Sequence, residues 1–305
     1  MKDKIASIER HSISVGIAAN LIMALSGWAT FYLSGSQALL LDGNMSFILF
    51  LSSIVALKIS TIKTIRSEKF PFGLYVTEAL YSLMKGLLLL GVIISALTSN
   101  GSKIFQYLEG DKLNLIKTGP IAYYAVAMVI ICWGLSAFYQ VQNRRINMGS
   151  SMLKVDQKAS FIDGVLSAST GAILVVIGYV EPGTSFEFLL YIGDALLVVL
   201  LAICMVGQPI AIIKEAFVEL AGGKLQDEAQ HQAIEDKVNQ ELAELGLSSE
   251  ALNISKTGSS YLVIISMSLG KLADKNSESV MGLKRQLAKE LAGELTFVDV
   301  ELVLV

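Results

Sequence analysis

The chain has 305 residues, of which 53% are hydrophobic and only 17% charged, and its mean hydropathy is +0.59. That balance excludes a soluble globular protein of this length and fits a polytopic membrane protein. The net charge of −3 is uneven: from Lys214 onward 9 Lys and Arg face 15 Asp and Glu, a net −6 that offers no basic face for nucleic acid.

The leader, MKDKIASIERHS, is polar and lacks a small-residue cleavage signature, so it reads as a cytosolic lead-in. Six apolar segments follow that are long enough to span a bilayer, at 13–33, 38–60, 76–97, 121–140, 159–180 and 186–206. Each is expected to be helical, because lipid offers no water to satisfy open backbone groups. Lys2, Lys4 and Arg10 precede the first span. Lys58, Lys63, Arg66 and Lys69 lie between the second and third, and Arg144, Arg145, Lys154 and Lys158 between the fourth and fifth. The opposite side has no Lys or Arg at 34–37 or 181–185, and its longer loop, 98–119, carries Lys103, Lys112 and Lys117. This imbalance predicts cytosolic termini. The expected location is the bacterial inner (plasma) membrane.

Pro209 and the stretch 214–219 take the chain out of the sixth span. Ala233, Val238 and Leu242 recur at helical spacing within 227–245. Segments 251–256 and 260–269 read as strands joined by a turn at 257–259. An amphipathic helix at 278–291 and a strand at 295–305 complete an α-β-β-α-β order. The division expected is a transmembrane domain, 1–213, and a cytosolic α+β domain, 214–305. So small a sheet is marginal alone, and pairing with a second copy is expected.

The two cysteines, Cys132 and Cys204, sit inside apolar runs and read as small buried hydrophobes, with no disulfide framework and no Cys-based metal motif. The two histidines, His11 and His231, lie outside those runs. Any site within the membrane must therefore use carboxylates, amides, hydroxyls or thioethers. Two apolar runs carry such groups: 34–60 with Asp42 and Asn44, and 154–180 with Asp156 and Asp163. A carboxylate at membrane depth costs several kcal/mol unless it meets a partner, a cation or water. The expectation is that these two helices face each other and that their acids handle a cation.

Each residue also has a plainer reading. Asp163 serves the cation or pairs with a lysine such as Lys85. Asp42, three residues before Met45 and on its helix face, coordinates directly or supports a ligand. Asp156, seven residues before Asp163, is an entry group or a solvated interfacial carboxylate. Asn44 and Asn20 are neutral oxygen ligands or interhelical hydrogen-bonders. Met45 is a soft thioether donor or a packing residue. Ser46 and Ser160 add hydroxyls or permit close packing, whereas Gly164, Ser167 and Gly171 read as close-packing residues. Glu78 and Asp194 are expected to pair with Lys85 or cap polar networks.

Several stretches resemble the cation diffusion facilitator (cation efflux) family, of which this chain looks like a divergent member. SGSQALLLDGNMS is similar to the family's second-span pattern, and Asn20 sits where a first-span Asn is frequent. FPFGLYVTEAL, with Gly73 and Glu78, resembles the entry to the third span. VDQKASFID resembles the fifth-span entry, and ELAGGKLQDE the link to the tail. The resemblance implies six spans with a ferredoxin-like, metallochaperone-like tail. It implies a homodimer in membrane lipid and export of a divalent metal ion by alternating access, coupled to protons. No cofactor and no enzymatic activity are expected. The family's four transport ligands fall at Met45 and Leu49 and at Ala159 and Asp163, of which only Asp163 is an expected ligand type. Leu74 stands where the family often has a His. An oxygen-dominated site favours Zn, Co, Fe or Mn. The alternative is a non-transporting relative that acts as partner or scaffold in a membrane oligomer. An intramembrane aspartyl protease is disfavoured, since Tyr191 replaces the first Gly of its G-x-G-D pattern around Asp194.

Overall fold

Seven helices account for the apolar part of the chain: α1 (Lys2–Ser34), α2 (Gln37–Ile62), α3 (Val76–Leu108), α4 (Gly119–Arg144), α5 (Ser151–Ile177), α6 (Phe188–Met205) and α7 (Gly207–Leu220). They supply six spans that are long and apolar enough to cross a membrane, the sixth formed by α6 and α7 together. The computed structural model describes residues 2–63, 65–70, 73–111, 113, 119–145, 151–244, 246–268, 277–293, 295 and 297–304. The loop cations Lys112 and Lys117 lie outside the described residues.

Two boundaries differ from the sequence expectation. The third helix does not stop near residue 97 but continues to Leu108, 33 residues or about 50 Å in all. Along its polar end Thr98 and Asn100 satisfy their side chains by donating to the Ile94 and Ala96 carbonyls one turn earlier, at 2.9 and 2.8 Å. Near residue 206 the chain does not leave the helix; α6 and α7 are separated only by Val206. Pro209 lies in the first turn of α7, where it has no N–H to give the Met205 carbonyl, so the helix is interrupted there.

Contacts divide the chain into two units: Met1–Lys58 with Lys85–Ile210, and Ile59–Met84 with Ala211–Val305. In the first, α4 packs on α1 and α5, and α5 also packs on α6. Met23, Leu39, Tyr124, Met128, Cys132, Leu174 and Val198 belong to its buried core. Small residues set these approaches, as in many membrane bundles. A Cβ on Gly27 of α1 would fall 2.7 Å from the Gly43 Cα of α2. Gly164 and Gly171 of α5 lie equally tight against Cys132 and Trp133, and against Ala125, of α4. Leu87, Ile130, Val176 and Ile203 are among the large apolar side chains exposed on these helices, as suits contact with lipid rather than water.

In the second unit, α8 (Glu228–Glu244), β1 (Ala251–Thr257), β2 (Ser260–Met267), α9 (Ser277–Leu291) and β3 (Phe297–Leu304) follow the expected order. β2 is central, antiparallel to β1 and parallel to β3. Tyr261, Val263, Ile265 and Met267 alternate inward along β2 and meet Val238 and Leu242 of α8 and Leu287 of α9. The chain is therefore a six-span helical bundle with a small ferredoxin-like α+β tail.

The β1–β2 turn of this unit is held by charged groups from helical segments. Glu78, in the first turn of α3, accepts hydrogen bonds from the Ser259 backbone N–H at 2.6 Å and the Ser259 hydroxyl at 2.7 Å. Its other oxygen meets Lys63 Nζ at 2.8 Å. Glu219 of α7 accepts from the Gly258 N–H at 2.8 Å and pairs with Lys256 of β1 at 3.4 Å. Gly258 has φ +59 and would push a Cβ to 2.5 Å from the Tyr75 carbonyl, so the turn admits only glycine there. Of the two readings of Glu78, a pair with Lys85 or a cap on a polar network, the second holds: its cation is Lys63, because the two lie at the ends of the short α2–α3 link.

Candidate metal site

The second helix begins with a built cap. Gly35, at φ 75, turns the chain out of α1 and sets Ser36 as the first residue before α2. The first amides of a helix lack internal partners and favour negative charge. Here Asp194 of α6, fully buried, fills that role. It accepts from the Ser36 hydroxyl at 2.8 Å, the Ala38 N–H at 3.2 Å and the Gln37 N–H. Asp194 thus caps a helix and does not pair with Lys85. The SGSQ stretch is legible as a turn and cap that fix the start of α2.

From that fixed start, Ala38, Asp42, Met45 and Leu49 recur at four-, three- and four-residue steps and lie on one face of α2. Ala159, Asp163, Leu166 and Thr170 recur the same way on α5. Both faces line one cavity of about 190 Å³, which has ample room for water or a hydrated ion. All four positions of the family's ligand register, Met45, Leu49, Ala159 and Asp163, line it, and so do Asp42, Ser46 and Ser167. Asp42 and Asp163 interact electrostatically across this space. Asp42 also accepts a 2.6 Å hydrogen bond from the Tyr124 hydroxyl of α4.

The other candidates stand apart from the cavity lining. Asn44 accepts a 2.9 Å hydrogen bond from the Trp28 indole N–H of α1, an interhelical tie next to the Gly27–Gly43 approach. Asn20 is half-buried on α1. Asp156 is half-buried and interacts with Lys85 of α3. Burial pushes its carboxyl above the ordinary value, and the attraction of Lys85 pulls part of the way back. Lys85 thus lies close enough to attract the Asp156 carboxylate, two helical turns before Asp163. Among the described residues, no three or more His, Cys, Asp and Glu side chains gather closely enough to hold a metal ion.

Four groups at this site had gone unnoticed as candidates in the sequence: Tyr124, Met23, Met128 and Cys132 all line the same cavity. The Cys132 thiol lies 3.7 Å from the Met23 thioether. Only the four-residue spacing of Met128 and Cys132 hinted at a shared helix face. Comparison with known families places residues 13–221 in the cation efflux transmembrane domain. No curated protein matches the chain.

Proposed function

The chain belongs to the cation diffusion facilitator (cation efflux) family of metal cation transporters and is an integral membrane protein, and from that membership we propose that it exports divalent cations in exchange for protons at Asp42 and Asp163. The observation that carries this reading is that both carboxylates, one from α2 and one from α5, line one cavity. Two carboxylates and a divalent ion form a neutral set, which removes the cost of isolated charge at membrane depth. Protons that replace the ion restore neutrality, so each carboxylate holds either a metal bond or a proton. This exchange couples efflux to inward proton flow as the bundle alternates between its two openings.

Oxygen donors at this depth suit Zn, Co, Fe or Mn, held loosely enough to be released. Asp156, in the field of Lys85, serves as an entry group. Asn44, occupied by Trp28, and Asn20 position helices, and Met45 offers a thioether beside Asp42. In this reading both termini are cytosolic, residues 1–213 carry transport, and residues 214–305 pair two protomers.

Transport into vesicles with an imposed pH gradient tests the proposal. Asp163→Ala is expected to lose at least about tenfold in metal flux; unchanged flux removes the site. A second reading, a non-transporting partner in a membrane oligomer, is favoured by one observation: Met45, Leu49 and Ala159 supply no oxygen or nitrogen side-chain donor at three ligand positions. Failure of the purified protein to bind Zn²⁺ or Mn²⁺ in its spans selects that reading.

A further inference from the structure

The cavity has a second set of donors that the carboxylate reading does not use. Met23 of α1 and Met128 and Cys132 of α4 line its wall, at 5%, 2% and 2% exposure. Met128 and Cys132 are one helical turn apart, on one face of α4. Met45 and Met205 line the cavity too, so four of the chain's ten methionines and one of its two cysteines meet there. Neither histidine does. Packing accounts for a single sulfur contact. It does not account for gathering half of the chain's sulfur residues outside the tail around one space that also holds carboxylates.

We propose that Met23, Met128 and Cys132 form a sulfur site for a soft monovalent cation of the cuprous or argentous class. The Cys132 thiol donates to the Met23 thioether at 3.7 Å, so two of the three donors are already in contact. A three-coordinate ion with bonds of about 2.3 Å to sulfur holds two ligand sulfurs about 4.0 Å apart, so a shift of a few tenths of an ångström admits it. Thiolate and thioether donors select soft ions over the harder divalent ones. Charge favours the same class: on binding, the Cys132 S–H bond breaks, a sulfur–metal bond forms and one proton leaves. The thiolate and a monovalent cation then sum to zero, so the sulfur site itself adds no net charge to the core. The thioethers of Met23 and Met128 complete the coordination without adding charge. The site goes beyond the divalent reading, because its ligands sit on α1 and α4 and include neither Asp42 nor Asp163.

The test uses the full-length protein purified in detergent under anaerobic conditions. Cu⁺ is titrated against a chromophoric Cu⁺ chelator, and X-ray absorption reports the donor atoms. The expected result is one tightly held Cu⁺ with a sulfur shell at about 2.3 Å. Met23→Leu and Cys132→Ala are each expected to weaken Cu⁺ binding at least tenfold, whereas Asp163→Asn leaves it unchanged. Zn²⁺ binding should show the reverse pattern, so loss of the carboxylate site and loss of the sulfur site are told apart. Met23→Leu with Met128→Leu conserves core volume and carries the test should Cys132→Ala fail to fold. An oxygen and nitrogen shell, or undiminished Cu⁺ affinity in the double Met variant, overturns the proposal.

Discussion

The Tyr124 hydroxyl of α4 and the Asp42 carboxylate of α2 are 2.6 Å apart, and the bond joins two helices across the wall of the cavity. The carboxylate is thereby held in place yet keeps acceptor capacity for a cation or proton. Two substitutions separate these roles. Tyr124→Phe removes the donor and is expected to destabilise the protein by about 1–3 kcal/mol. Asp42→Asn keeps an acceptor for Tyr124 and is expected to unfold near the parent temperature while losing divalent-ion flux. Thermal unfolding in detergent and vesicle transport read the two outcomes; equal flux in Asp42→Asn removes this residue from the site.

The cap on α2 makes a second prediction. Asp194→Ala strips the acceptor from a buried hydroxyl and two amides, a loss of about 3 kcal/mol or more. Ser36→Ala removes one of those donors and should cost about 1 kcal/mol. Chemical unfolding of the solubilised protein checks the ranking. A smaller effect for Asp194→Ala than for Ser36→Ala would show that α2 does not depend on this carboxylate.

Both predictions arise from polar residues that the sequence marked as costly but could not pair. A buried acid in an apolar run announces that a partner exists. It does not say which helix brings it. Lys85 was the nearest candidate by inspection for Glu78, Asp163 and Asp194, and the fold brings it into the field of Asp156 instead. Chain distance alone could not have found Tyr124 for Asp42, since 82 residues separate them.

At the β1–β2 turn, Glu78 holds the Ser259 amide and hydroxyl together with Lys63. Glu78→Ala leaves the amide and ammonium without their acceptor. Hydrogen exchange at the Ser259 amide is expected to accelerate about tenfold to a hundredfold, the range set by one or two bonds to a charged group. Exchange at Val238 and Leu242, in the core of the unit, should change far less. Uniform acceleration throughout the unit would mean that Glu78 supports the domain and not the turn.

Lys256 and Glu219 make stability depend on alkaline pH. Burial works against the Lys256 charge, but Glu219 foremost, with Tyr261 and Glu215, outweighs it and raises the pKa above its ordinary 10.5. A base with a raised folded pKa contributes its full stability below the unfolded value, and the contribution fades as pH rises through the folded one. The pair should therefore stabilise at neutral pH and stop doing so above 10.5. Lys256→Met is expected to cost about 1 kcal/mol at pH 7. The difference in unfolding free energy between parent and variant should shrink in alkali; a constant difference contradicts the ion pair.

Composition and periodicity determined the architecture, since six runs of apolar residues have no other stable form in lipid and the alternation in β2 has no other sheet face to bury. The same periodicity placed Asp42 with Met45, and Asp163 with Ala159, because residues three and four apart share a helix face. Which faces meet was decided only in three dimensions. Side-chain spacing reports direction around one helix axis and carries nothing about rotation between axes. The small-residue contacts of Gly27 with Gly43 and of Gly171 with Ala125, and the Asp194 cap on α2, supply that rotation, and with it the partners of Asp42 and Asp194.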